Sequence, residues 1–419
     1  MRHLIAFVSM QTHAAASMVP PGSAQPAPLL LNKHTLADAS AVCNDGTRAA
    51  FYHRNCTANW DRKPWDNLTD FCAGTQTWVI SFLSGSLLNA TASTAGAFCY
   101  DSASCASRDA ELRSSSSLPS SLYLDGVSVV APETNPNLYK QHSVIVPYCT
   151  SDLWAGRTAD FAGANVVDAV IRALGSTTDP LSDGGLATAD RVILTGGAGI
   201  MARLDELAAA LRAAKVHASG NSSATLSVFG ICDGCALLLV DGGGGACTRD
   251  SNCPPDRALP ALARAAALDA PPACSANTTA DVWTCWAEPS VSHSLAAALT
   301  PSLSIAMQFD RRQLASYGAL PTDAWAQDAF MPAARAAAAR ALYAISPACA
   351  TPTEATASKG LFDEKLRHVD AYNNTLHVPV VSGLTTFLDA AEEGGGGPQS
   401  FGAWADTCGS AGCSGLCAD

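Results

Sequence analysis

The sequence predicts an α/β fold, a mostly parallel central sheet flanked by helices and interrupted by disulfide-rich insertions. Three observations predict it. Short apolar, β-branched runs alternate with stretches whose apolar residues fall at helical spacing, the pattern of parallel strands joined by crossover helices. The most regular unit, Arg191 to Val216, joins an apolar run through a tight glycine turn to a helical pattern from Ala202, in which Leu204, Leu207, Ala208 and Leu211 recur at i, i+3, i+4 and i+7. The 419-residue chain is 48% hydrophobic and 15% charged, a composition that fills a large core.

Taken in order, Arg2 and His3 precede the apolar Leu4 to Met10 and the small residues Ala14 to Ser17, the pattern of a signal peptide. Residues 1–28 therefore read as signal peptide and Pro/Ala-rich leader, and residues 40–419 as one domain. Cys43 to Thr47 gives a turn beside a cysteine. Trp78 to Leu83, rich in aromatic and β-branched residues, is the first strand. A polar loop from Ser84 to Gly96 follows, Cys99 and Cys105 bracket another, and the serine-rich Ser114 to Ser121 is expected to be exposed. Val144 to Val146 opens a second strand running into Cys149. Phe161 to Leu174 has helical spacing, and Val192 begins the next strand.

Leu226 to Ile231 and Leu303 to Gln308 complete the series of strands, separated by a cysteine-punctuated insertion from Cys232 to Cys285. Asp328 to Tyr343 is an alanine-rich helix. The tail from about 405 to 419, with Cys408, Cys413 and Cys417, reads as disulfide-tied.

A net charge of −12 with no Lys/Arg cluster excludes nucleic acid as a partner. No apolar run approaches the ~18 residues of a membrane span. Sixteen cysteines and six N-x-S/T sequons, at Asn55, Asn67, Asn89, Asn221, Asn277 and Asn373, point to an oxidising, secretory compartment and a glycosylated protein. The spacing of Cys232 and Cys235 does not continue into a zinc-binding pattern, so both read as disulfide cysteines, with no metal or cofactor expected. The oligomeric state is not legible.

Strand, glycine turn and helix is the setting in which α/β-hydrolases carry the nucleophile of a G-x-S-x-G elbow. Here the central residue is Ala198, and no G-x-S-x-G occurs anywhere in the chain. A methyl group cannot attack a carbonyl.

Several stretches in one order resemble the pectin acetylesterase and Notum family of secreted α/β-hydrolases. They are Cys99 to Arg108, Asn135 to Gly156, Arg191 to Gly196, Cys232 to Gly234, Trp283 to Trp286 and Gln308 to Leu314, spanning roughly residues 40 to 355. The specific match is Asn135 to Gly156, close to a family run ending in Y-C-S-S-D-x-W-S-G. The resemblance implies hydrolysis of carboxylic esters by a serine, a histidine and an orienting acid beside an oxyanion hole. It places the acid at Asp310. The family's G-x-S-A-G-G reads Gly196-Gly197-Ala198-Gly199-Ile200-Met201, so the serine is lost. Its P-A-C-x-x-H puts Pro352 at the base position, and proline has no acid-base side chain. Its L-E-G-G-W oxyanion turn reads Leu83-Ser84-Gly85-Ser86-Leu87, leaving Gly85, Ser86 and Gly199 as the oxyanion-equivalent positions.

The reading is therefore a secreted pseudoesterase that retains binding of a glycan, an acyl chain or a partner, with an acetylated polysaccharide or an acylated protein as the implied ligand. The alternative is an active ester hydrolase whose nucleophile and base have moved, with His293, His368 and His377 as candidate bases.

Overall fold

The computed structural model describes residues 31–54, 76–83, 98–122, 141–177, 181, 185–233, 237–240, 254–271, 274, 279–287, 290–291, 295, 298–305, 313–314, 317–319, 323–340, 344–346, 387 and 403–405. Among the described residues ten strands form one sheet: β1 (Leu31–Thr35), β2 (Ala50–Arg54), β3 (Thr77–Phe82), β4 (Ser121–Leu122), β5 (His142–Val146), β6 (Arg191–Thr195), β7 (Ser227–Asp233), β8 (Ser302–Ile305), β9 (Ala344–Ser346) and β10 (Ala403–Ala405). Their spatial order is β10-β9-β8-β7-β6-β3-β5-β2-β1-β4. From β10 to β5 every pairing is parallel, while β2, β1 and β4 extend one edge antiparallel.

The central strands are apolar without alternation because both faces are covered. Trp78, Ile80, Val192 and Leu194 join the main core, and Val79, Ile193 and Phe229, which point the other way, are equally buried. Six α-helices among the described residues accompany the strands: α1 (Ser102–Ala106), α2 (Gly163–Leu174), α3 (Ala198–Ala202), α4 (Leu204–Ser219), α5 (Pro255–Ala265) and α6 (Met331–Arg340). The i, i+3, i+4, i+7 set read in the sequence is buried on α4 as Leu204, Leu207, Ala208 and Leu211. A smaller core under α6 gathers Leu238, Leu314, Tyr317 and Phe330.

Four local expectations are corrected. The segment between Cys99 and Cys105 is not a plain loop: Asp101 caps α1, its Oδ1 accepting Ser104 N at 2.6 Å while Ser104 Oγ accepts Asp101 N at 3.0 Å. The serine-rich stretch is exposed only in part. Ser114 and Ser115 are buried, Ser115 Oγ donates to Arg48 O, Tyr52 donates to Pro119 O, and Ser121 enters β4. The helix read from Ala202 is two helices, with Arg203 non-helical between α3 and α4. The alanine-rich helix contains a π-helical turn, Ala326–Phe330, ahead of α6, and β9 starts at Ala344, beyond three residues outside the described ones.

Cys43–Cys149, Cys99–Cys105 and Cys274–Cys285 are disulfides, and Cys232 is disulfide-bonded as well. No cysteine among the described residues is free. The Cys43–Cys149 bridge spans 106 residues and fixes the antiparallel edge to the end of β5.

Candidate functional site: a closed turn held by a carboxylate strap

The C-terminal end of β6 runs through Gly196 and Gly197 into α3, and Ala198 is the first helical residue. A nucleophile elbow forces its central residue into strained backbone geometry. Ala198 is not strained. The non-glycine residues with positive φ among those described are Ser151, Leu153, Trp154 and Ala267. Ala198 is also only 1% exposed, and Ile200 and Met201, standing where the family pattern has glycines, are buried beside it. The turn is packed from within: a Cβ on Gly196 would meet Ile200 Cγ1 at 2.8 Å and Phe82 Cβ at 3.2 Å.

Three of those four strained residues lie in one strap, Tyr148 to Gly156, which follows β5. Left-handed backbone costs an ordinary residue about 1–2 kcal/mol, so something must hold Ser151, Leu153 and Trp154. Asp152 is that hold. Its Oδ1 accepts Thr150 Oγ1 at 2.7 Å and Trp154 N at 3.1 Å, and its Oδ2 accepts Gly156 N at 3.1 Å and Gly163 N at 2.6 Å. The last of these caps α2 at a distance in sequence, since Ala162 supplies no side-chain cap. The carboxyl is wholly buried. Burial pushes its pKa up, and the hydrogen bonds from Thr150, Gly163, Trp154 and Gly156 pull it back only as far as about 6.

The strap reaches the C-terminal ends of both β6 and β3. Leu153 O sits where a Cβ on Gly199 would lie only 1.7 Å away, so the turn after β6 is pressed against strap backbone. Trp154 Nε1 donates to Leu83 O at 2.8 Å, anchoring the residue that follows β3. Tyr148 Oη accepts Leu153 N at 2.7 Å, and burial raises its phenol so that it stays protonated. Beneath the strap, Arg203 is 6% exposed and pairs with Asp168 on α2 and Glu206 on α4 at 3.2 and 2.6 Å. Arg157, next after the strap, joins the same group through Asp168 at 3.0 Å.

Of the residues singled out in the sequence, Ala198 and Gly199 lie together in this turn. Asp310, Pro352, Gly85, Ser86, His293, His368 and His377 lie outside the described residues, as do Asn55, Asn67, Asn89, Asn277 and Asn373. Asn221 is exposed in the turn after α4, with its Oδ1 accepting Ser223 N at 2.9 Å. The sequence marks Asp152 only as one letter of the Asn135 to Gly156 motif. Nothing in its spacing announces a carboxylate that accepts from residues on both sides of it. No group of three or more His, Cys, Asp or Glu among the described residues is placed to hold a metal ion.

Both the sequence and the fold match known proteins. The pectinacetylesterase family model matches residues 24–224. The mouse palmitoleoyl-protein carboxylesterase NOTUM is 27% identical over 212 residues, 47% of this chain and 35% of that protein. The solved Drosophila Notum, described as a Wnt deacylase, superimposes with a TM-score of 0.66 over 93% of this chain and 99% of that one, at 19% identity. The chain is thus similar to the pectinacetylesterase and Notum family, whose model matches just under half of its length. Another relative, notum1b of Danio rerio, is named as an inactive palmitoleoyl-protein carboxylesterase and is 29% identical over 151 residues, 35% of this chain and 89% of that protein. The chain spans about a third of the length of the first Notum relatives it matches. The mostly parallel sheet flanked by helices is therefore the α/β-hydrolase-like architecture of this family.

Proposed function

We propose that this protein is a Notum-like pseudoesterase, secreted and glycosylated, that binds an acylated protein or an acetylated polysaccharide without turning it over. The observation that carries the reading is the turn after β6, where Ala198 stands at the nucleophile position, buried and without elbow strain. In this reading Pro352 occupies the position of the base and Asp310 is an acid left with nothing to orient. The oxyanion-equivalent positions are Gly85, Ser86 and Gly199. Acyl transfer needs a hydroxyl or thiol activated by an adjacent base, and the turn offers a methyl group. The existence of a relative named as inactive supports the same reading. The described cysteines of this chain, none of them free, support an oxidising compartment. No helix among the described residues is long and apolar enough to cross a membrane.

The test is hydrolysis of 4-nitrophenyl butyrate beside binding of a palmitoleoylated serine peptide. The expected result is a rate indistinguishable from that of Ala198→Ser, both without saturation kinetics, and saturable peptide binding with no free fatty acid released. Triad enzymes stripped of catalytic side chains keep roughly 10³ to 10⁴ over water through oxyanion and binding contributions, and this chain should not exceed that. Saturable ester turnover by the unaltered chain would overturn the reading.

Glycosylation has its own check. Asn221 heads the sequon Asn221-Ser222-Ser223 in an exposed turn, so protein secreted from eukaryotic cells should lose the mass of one glycan on Asn221→Gln, read by intact mass spectrometry before and after glycosidase. An unchanged mass means this sequon is unused.

A further inference from the structure

The serine-rich stretch before β4 is held firmly by its backbone. Lys33 Nζ donates to Ser115 O at 2.6 Å and to Leu118 O at 3.2 Å, and Tyr52 Oη donates to Pro119 O at 2.6 Å. Leu118 is buried in a small core with Leu31, Tyr52 and Ile145, and Lys33 N donates to Ser120 O at 3.0 Å, directly ahead of the edge strand.

Fixing the backbone sorts the hydroxyls. Ser114 and Ser115 are buried, and Ser115 Oγ donates to Arg48 O. Ser116 is exposed, but its hydroxyl lies 2.7 Å from Ser114 Oγ, one of the two donating to the other. Ser117 and Ser120 are exposed, and their hydroxyls have no hydrogen-bond partner among the described residues. They flank Leu118, turned inward, and Pro119, and the run 114–122 carries no charged side chain. Serine beside proline without charge is the composition of O-glycosylated segments.

We propose that the hydroxyls of Ser117 and Ser120 accept O-linked sugars. The site presupposes the secretory compartment of the preceding reading, where the sugar donors and their transferases act. In the transfer, the serine oxygen bonds to the anomeric carbon of a nucleotide- or dolichyl-phosphate-linked sugar. The bond from that carbon to the phosphate oxygen breaks, the phosphate leaves with the electron pair, and the hydroxyl proton passes to a base of the transferase. Selection within the run follows from exposure: the buried Ser114 and Ser115 cannot enter a transferase without unseating Lys33 and Arg48 from their backbone contacts.

The test directs the full chain into the secretory pathway of eukaryotic cells with an added cleavable signal sequence, strips N-glycans from the exported protein and digests it with trypsin. The peptide from Ser114 to Lys140 contains none of the six sequons, so a sugar on it is O-linked. Electron-transfer fragmentation is expected to place a hexose or N-acetylhexosamine on each of Ser117 and Ser120, with Ser114 and Ser115 bare. Ser117→Ala and Ser120→Ala should each delete the sugar at its own position with an unchanged far-UV spectrum. A bare peptide, phosphate in place of sugar, or sugar on neither serine would overturn the proposal, and sugar on one alone would refute the assignment of the other. The chain with its own N-terminus, expressed in parallel, tests the secretory reading separately: its absence from the medium would reject that reading, while the directed chain still decides the two serines.

Discussion

Gly199→Ala is expected to cost at least about 3 kcal/mol of folding stability, the upper end for overpacking a core, because the added carbon has no low-energy way out. The new methyl would lie 1.7 Å from Leu153 O, a backbone atom, so no rotamer change relieves it. The strap would have to move, and it is tied by Asp152 to α2 and by Trp154 to the end of β3. Gly220→Ala is the matched control. Gly220 has φ of 63° and nothing within 4 Å of the point a methyl would occupy, so it should cost only the left-handed penalty, about 1 kcal/mol. Urea denaturation of the two variants measures both, and equal costs would mean that the turn is not pressed against the strap. The family pattern carries an alanine at the position of Gly199. Restoring the Ser-Ala pair at 198 and 199 is therefore expected to yield an unstable chain, not an esterase.

Asp152→Ala should be comparably damaging, at about 4 kcal/mol. It strands Thr150 Oγ1 and the N–H groups of Trp154, Gly156 and Gly163, and each orphaned buried donor costs about 1–3 kcal/mol, offset in part by removing a buried charge. Asp152→Asn should cost less, about 2 kcal/mol. Its amide nitrogen can face Thr150, whose hydroxyl can turn to accept, leaving Trp154 N as the orphan while the oxygen still serves Gly156 and Gly163.

The pH dependence has a definite sign. The folded carboxyl sits at about 6 and the ordinary value is 3.8, so the folded state holds the proton more tightly. The group's contribution to stability is therefore greatest below 3.8 and is lost as pH rises through 6, by up to about 3 kcal/mol. Asp38, Asp101 and Asp205, held below their ordinary values, act in the opposite direction. Subtracting the Asp152→Asn curve isolates the effect: the gap between unaltered chain and variant should widen as pH falls from about 6 toward about 4. A gap that narrows instead would place the carboxyl below its ordinary value.

The parallel half of the sheet was legible because its strands are buried on both faces and read as continuous apolar runs. Val192 to Leu194 and Val144 to Val146 leave no other interpretation next to helical neighbours. The antiparallel edge was not. β1 is Leu-Asn-Lys-His-Thr, with one buried apolar residue at its start, and β2 carries His53 and Arg54, buried polar residues that no apolar count detects. β1 also lies ahead of residue 40, where the composition of the sequence places the start of the domain. β9 and β10 are three residues each, too short for periodicity to register.

At the site, the residue that the family resemblance sets at the nucleophile position was legible as a residue identity, Ala198. The closure of the turn was not, because it depends on Leu153 O, a backbone atom brought in from 46 positions earlier in the chain. Asp152 was equally hidden: its partners Thr150, Trp154 and Gly156 are local, but Gly163 belongs to the next helix, and only the fold shows one carboxylate serving both.

The most direct measurement is intact-mass analysis of the folded chain after exposure to a fluorophosphonate, which phosphonylates any serine activated by a neighbouring base, wherever it sits. With a methyl at position 198 and the turn sealed, the mass should be unchanged. An adduct of one phosphonyl group per chain, abolished by unfolding before exposure, would mean that a working serine exists and that the closed turn is not where the chemistry was lost.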